Sequence, residues 1–270
     1  MRRDPPAGPG TFLPTKAKRD MLRLLAEYFC LRTNDLPELR GKPGRTESAR
    51  RSARRTLLLL YQQGLVARLP YLDLDNAAGG FTYVYGLSEP GVRHAAAHGH
   101  AGGTAKPFGE HSARTLDHEL AITAFHRSLA KFAAANTLDL YWLQKDLKRT
   151  VHPDAVFALT DPSAPDDRNT RYYFLEIERA KAGGYRDGEP QIVRKLRAYA
   201  RHWGTRACEK DWGDFREFTV IVVMRTEARR RNLNAAMGAD VPPAIVVLTT
   251  EPACRSGIDA ALFAITERGP

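Results

Sequence analysis

The 270-residue sequence has no apolar run that approaches the roughly 20 residues a membrane span requires, which excludes an integral helical membrane protein. Its basic N-terminal start is not followed by an apolar core, so the opening residues read as a flexible tail (residues 1–15) and not as a signal peptide. Cysteine is scarce. Cys30, Cys208 and Cys254 are odd in number and far apart, which excludes a disulfide framework and a cysteine-based metal motif and points to a reducing cytoplasm. No internal repeat is visible, which excludes a solenoid or propeller.

What the sequence has is positive charge. Lys and Arg number 41 against 31 Asp and Glu, a net charge of +10, which suits a polyanionic partner. The excess of arginine over lysine, with abundant alanine, also fits a GC-rich coding sequence. Clustering is therefore more informative than the total. Arginines concentrate at Arg45, Arg50, Arg51, Arg54 and Arg55.

Residues 18–31 place Met21, Leu22, Leu24, Leu25, Tyr28, Phe29 and Leu31 at helical spacing. Thr33 or Asn34 can cap a short second helix at 35–39, and Gly41-Lys42-Pro43-Gly44 then breaks the chain. A third helix from Thr46 carries Ala49, Ala53, Leu57, Leu58 and Leu60 on one side and the arginines on the other, ending at Gly64. Residues 65–69 and 81–85 read as two strands of a hairpin. Ser88 then caps a helix with Pro90 in its first turn. Three helices and a hairpin predict a winged helix-turn-helix over residues 16–104, and the Leu-Ser-Glu-Pro-Gly segment resembles the close of winged-helix domains in transcription regulators. There the third helix enters the major groove, which makes Arg45, Arg50, Arg51, Arg54 and Arg55 the candidate phosphate or base contacts. The alternative is a solvated face used for protein contact.

His94, His98 and His100 lie in a Gly/Ala-rich stretch without a neighbouring carboxylate or cysteine, and read as surface histidines at the start of a linker. From about residue 105 a second domain is expected. Its predicted elements are a helix at 117–134, strands at 141–143, 152–159 and 171–178, a helix at 190–206, a buried strand at 218–224, a basic helix at 225–237 and a buried strand at 244–249. That order is α/β with a mixed sheet, α+β over the whole chain. Trp203 and Trp212 are expected in the core.

The chemistry-bearing residues of this domain are ordered. Asp154 follows Pro153 at the start of one strand, and Glu176 and Glu178 end the next. If those strands pair antiparallel through the 161–169 turn, Asp154 and Glu176 meet at one end of the sheet. Lys195 sits one turn into the following helix, on a stripe with Gln191 and Tyr199. Two carboxylates with waters and a phosphate oxygen can hold Mg²⁺, which acidifies a water and stabilises a leaving oxygen; a nearby lysine adds positive charge.

His152-Pro153-Asp154, Phe174-Leu175-Glu176-Ile177-Glu178-Arg179 and Lys195-Leu196-Arg197-Ala198-Tyr199, with the helix start Asp117-His118-Glu119-Leu120, resemble the replication-relaxation family of actinobacterial and plasmid-borne proteins. That family is similar to MobC-type relaxases. The resemblance implies a winged helix followed by a restriction-endonuclease-like PD-(D/E)xK core (residues 105–270), and a cytoplasmic role on double-stranded DNA in plasmid replication or mobilisation. It implies Asp154 and Glu176 as ligands of a magnesium cofactor, with His118 and Glu119 as accessory residues. Glu178 stands where the motif normally has lysine, so catalysis would need Lys195 to supply that charge from the helix. The rival readings are a winged-helix regulator or replication accessory factor with an inactive nuclease-like fold, and an interaction module that dimerises through the C-terminal sheet or joins relaxosome and replication proteins. Tyr172, Tyr173, Tyr185 and Tyr199 are all conceivable nucleophiles, and nothing in the sequence selects among them.

Overall fold

A computed structural model describes residues 15–36, 47–73, 80–99, 107–109, 112–143, 150–165, 169–179, 185–186, 189–213 and 217–258. The architecture is mixed α/β, as the element order predicts. Two compact units divide the chain, Met1–Thr123 and Ala124–Pro270.

In the first unit, α1 (Lys16–Glu27) and α2 (Glu47–Gln62) each present one apolar stripe. Met21, Leu22 and Leu25 of α1 meet Ala53, Leu57 and Leu60 of α2 in a single buried core. That core is floored by a three-stranded antiparallel sheet of order β1-β3-β2, made of β1 (Leu31–Arg32), β2 (Val66–Asp73) and β3 (Gly80–Leu87). The hairpin register runs from Val66↔Leu87 to Asp73↔Gly80. Ser88 caps α3 (Glu89–Ala97): its hydroxyl accepts from the Gly91 N–H at 3.1 Å and donates to the Gly64 carbonyl at 2.5 Å.

The predicted first helix stops four residues early. Tyr28 turns extended, and Leu31 and Arg32 pair with Tyr85 and Val84 instead of continuing the helix. The bulky 28–31 run is as compatible with a pleated surface as with a helix, and the open edge of β3 decides. Of the predicted second helix, residues 37–39 lie outside the described residues.

In the second unit, α4 (Ala113–Ala135) enters from the first unit. There follow β4 (Asp139–Leu143), β5 (Ala155–Thr160), β6 (Thr170–Glu178), the two-residue strands β7 (Tyr185–Arg186) and β8 (Glu189–Pro190), α5 (Gln191–His202), α6 (Arg206–Trp212), β9 (Thr219–Met224), α7 (Glu227–Ala236), β10 (Val246–Thr250) and α8 (Glu251–Ser256). The five-stranded sheet has the order β10-β9-β6-β5-β4. β4, β5 and β6 form an antiparallel meander, whereas β6, β9 and β10 run parallel. The β6–β9 and β9–β10 connections are crossovers, which a twisted sheet places on one side. α5 and α7 accordingly share a face: Ile192, Val193, Leu196, Tyr199 and Leu233 pack with Phe174, Val220, Val222 and Met224. The opposite face stacks Phe157 on Tyr173 at 4.8 Å, with Phe125 of α4 at 5.9 Å from Phe157.

Three details depart from the sequence-based expectation. The helix predicted over 190–206 ends at His202, and Trp203 becomes its extended C-cap, 39% exposed, with its indole N–H bonded to the Phe218 carbonyl instead of lying in the core. The short helices α6 and α8 were not foreseen, being only seven and six residues long. The last strand is preceded by a 3₁₀ turn, Pro243–Ile245, where proline supplies the turn.

Gly91 tests the seating of α3. A Cβ there would stand 1.9 Å from the Leu65 carbonyl oxygen, whereas Gly64, at φ 71°, has open space around it. Gly91→Ala is expected to cost about 3 kcal/mol or more, because the clash is with backbone. Gly64→Ala should cost only about 1 kcal/mol, for the left-handed conformation alone. Urea unfolding of the two variants checks this, and equal midpoints would contradict the described packing.

Candidate functional site

The site grows from the β5–β6 pair. Ala155 lies opposite Leu175, so Asp154 is the last residue before β5 begins. Its own N–H donates to the Leu175 carbonyl at 2.9 Å, and its carboxylate accepts from the Ile177 N–H at 2.7 Å. Asp154 thereby straddles Glu176 on the neighbouring strand. This is the antiparallel meeting of strand ends that the sequence predicts.

Glu176 is 3% exposed, on the sheet face covered by α5. Lys195 Nζ donates to its Oε2 and Tyr199 Oη to its Oε1, each at 2.5 Å. The four-residue step from Lys195 to Tyr199 is one helical turn, which aims both side chains at one carboxylate. Burial pushes the Glu176 carboxyl up to about 8. The Asp154 charge adds to the rise, while Lys195 and Tyr199 oppose it. Burial, and then the Glu176 charge, likewise raise the Tyr199 phenol well above its usual value, so it stays protonated and donates.

Glu178 lies two residues on, on the same face, and faces Arg229 of α7 at 3.9 Å. Arg179 forms a two-pronged pair with Glu251, 2.9 and 2.7 Å, that ties the end of β6 to the start of α8. Neither Arg229 nor Glu251 is suggested as a partner by the sequence, because no spacing rule links a strand to helices that follow it through crossovers.

The donor set can be tested against a magnesium ion. Asp154 and Glu176 are close enough for one to shift the other, and magnesium characteristically takes one or two carboxylates and completes its shell with waters and substrate phosphates. Among the described residues no three His, Cys, Asp or Glu side chains form a protein-only cage. Two carboxylates that leave the rest of a shell to waters and phosphates are a donor set that suits magnesium.

His118 and Glu119 are half-buried on α4, in the first unit, whereas Asp154, Glu176, Glu178 and Lys195 belong to the second. Among the tyrosines, Tyr199 is committed to Glu176. Tyr173 is fully buried under Phe157, and burial pushes its phenol up to about 12. Neither is poised as a nucleophile. Tyr172 is half-buried against the core, and the Tyr185 side chain lies outside the described residues.

The arginine face predicted on the third helix is α2. Arg50, Arg51 and Arg54 stand 3.7–3.9 Å from Glu47, Arg51 being 75% exposed, and Arg55 is also exposed. Such exposed pairs are weak, so redirecting these guanidinium groups to phosphates costs little. Arg45 lies outside the described residues. In the hairpin, Arg68 is held between the rings of Tyr61 and Tyr83 at 4.4 and 4.5 Å. The His98 ring lies tilted against that of His94 at 4.3 Å near the end of α3, and His100 lies outside the described residues.

The family model described as Replication-relaxation matches residues 22–217. No curated protein matches the chain, and no solved structure does. Among the described residues, no helix is long and apolar enough to cross a membrane.

The raised carboxyl makes a signed prediction. With a folded value of about 8 above the ordinary 4.5, folding holds a proton on Glu176 across that interval, so its contribution to stability is full below about pH 4.5 and is lost as pH rises toward 8. Glu176→Gln removes this loss. The variant's stability relative to wild type should improve steadily between those pH values in urea melts, and parallel pH profiles would contradict the assignment.

Proposed function

The chain belongs to the replication-relaxation family, and from that membership we propose that it acts on double-stranded DNA in plasmid replication or mobilisation, in the cytoplasm. Two helices over a β1-β3-β2 sheet support reading the first unit as a winged helix, with α2 as the groove-entering helix and the β2–β3 hairpin as the wing. The exposed Arg51, Arg54 and Arg55, with the half-buried Arg50, then meet phosphates or base edges.

For the second unit we propose a restriction-endonuclease-like core that nicks DNA. The observation that carries this reading is the Lys195 ammonium on Glu176, with Asp154 beside it at the entry to the adjoining strand. Asp154 and Glu176 would hold the magnesium ion. When bound, that ion acidifies a water and offsets charge on the phosphodiester. The Ile177 N–H fixes the Asp154 carboxylate, and Tyr199 fixes one oxygen of Glu176. Lys195 brings from the helix the positive charge that the motif usually has on the strand, where Glu178 now faces Arg229. An ammonium there can orient a water and stabilise developing negative charge.

A second reading is favoured by one observation. Both Glu176 oxygens are already engaged, one by Lys195 and one by Tyr199, which also suits an accessory factor whose nuclease-like fold no longer cuts.

The deciding measurement is nicking of supercoiled plasmid with magnesium, alongside DNA binding. Asp154→Asn and Lys195→Met are each expected to slow nicking by about 100-fold or more while leaving affinity unchanged. Arg51→Ala and Arg54→Ala should each weaken binding and lower its salt slope by about 1. Nicking unaffected by Asp154→Asn would remove the proposed site. DNA binding without nicking by the wild-type chain would establish the accessory-factor reading.

A further inference from the structure

Both helices that cover the acid-bearing face of the second unit are basic. α5, with the sequence QIVRKLRAYARH, contains four Lys or Arg and no acid; α7, EARRRNLNAA, contains three arginines and one acid. A charge run on a helix is usually a solvated face. Here its placement in the fold argues for more.

Glu178 pairs in register with Met224, so Arg225, the next residue after β9, stands level with the carboxyl end of β6. α7 begins at that same end of the sheet and puts Arg229 against Glu178. α5 puts Lys195 on Glu176, which places its immediate neighbour Arg194 at this end too. The two helices are also joined directly, by an ion pair from Arg197 to Asp240 just after α7. The cations of two separate elements therefore converge on one edge of the sheet, the edge where the carboxylates lie.

The carboxylates at that edge are matched. Glu178 faces Arg229, Glu227 is held by Arg230, and Glu251 is held by Arg179 and Arg255. Arg194 and Arg225 are exposed, with no ion-pair partner among the described residues, and Arg231, also exposed, shares the one Glu227 carboxylate with Arg230. They are a surplus of positive charge beside the site. Arginine's planar fork suits phosphate oxygens, and its weak hydration keeps the cost of contact low.

We propose that Arg194, Arg225 and Arg231 form a second DNA-backbone contact surface, separate from the α2 arginines, that lays a phosphodiester along the carboxyl edge of β6 and β9. It rests on the DNA reading above and adds a further site to it. The phosphates are held by charge, without base readout, so this contact is sequence-independent. Gripping DNA at two places raises the affinity of the whole chain beyond either contact.

The test is binding of the full chain to a long non-specific duplex, by fluorescence anisotropy, over a series of salt concentrations. Each lost phosphate contact lowers the slope of log K against log[salt] by about 0.9. Arg194→Ala/Arg225→Ala/Arg231→Ala is expected to lower it by about 2–3 and to weaken binding by tenfold or more at moderate salt. The corresponding triple lysine variant should keep the slope, which a merely structural role would not require. Arg51→Ala/Arg54→Ala/Arg55→Ala should lower the slope independently, and the two losses should add. An unchanged slope in the alanine variant of the second unit, with a reduced one in the α2 variant, overturns this surface and leaves the first contact standing. A reduced slope in the second-unit variant alone supports the surface and removes the α2 contact. No binding by the wild-type chain overturns both.

Discussion

One carboxylate taken out of water sets the terms for the second unit. Glu176 lies between the sheet and α5, and a carboxylate at that depth is tolerated only with partners. Lys195 and Tyr199 supply them, and the apolar stripe of α5 fixes where both stand. Asp154, bonded through both its backbone and its side chain to β6, fixes the strand register next to them. An apolar side chain in place of Glu176 would fill the same volume without needing partners. A buried acid with a raised pKa, a lysine and a second carboxylate at its side is the cluster on which the proposed site rests.

Much of this was legible in the sequence. The meeting of Asp154 with Glu176 followed from two strands and a polar turn, and Lys195 followed from helical periodicity. The role of Tyr199 was not legible, because a tyrosine on an apolar stripe looks like core until its hydroxyl finds Glu176. The partners of Glu178 and Arg179 were hidden for a different reason. Arg229 and Glu251 reach them through parallel crossovers, whose pairing no local pattern encodes. Trp203 failed as a core residue because its helix ended at His202, four residues sooner than predicted, which leaves Trp203 in the extended C-cap. The end of α1 was misplaced by competition. The 28–31 run suits either periodicity, and the tertiary edge of β3 chose the strand.

The stretch shared with the family stops at residue 217, directly before β9. β9 and β10 are nevertheless two of the three parallel strands of the sheet, and they carry the helices that answer Glu178 and Arg179. The Asp154–Glu176–Lys195 set lies within the matched region, while the residues that surround its far edge lie beyond it. The most family-like part of the chain and the physically complete site are therefore not the same stretch.

The Arg179–Glu251 pair also bears on how the protein comes into being. It joins residues 72 positions apart, against 19 for Lys195 with Glu176 and 23 for Asp154 with Ile177. On a ribosome the chain emerges N-terminal end first, and contacts of long separation close late. The helices and hairpin of the first unit can assemble while the rest is still being made. β6 must wait, with one edge bare, for β9 to be synthesised, and its end stays unclasped until Glu251 appears. The clasp at the end of β6 therefore closes after the Asp154–Glu176–Lys195 set, whose contacts span much shorter separations.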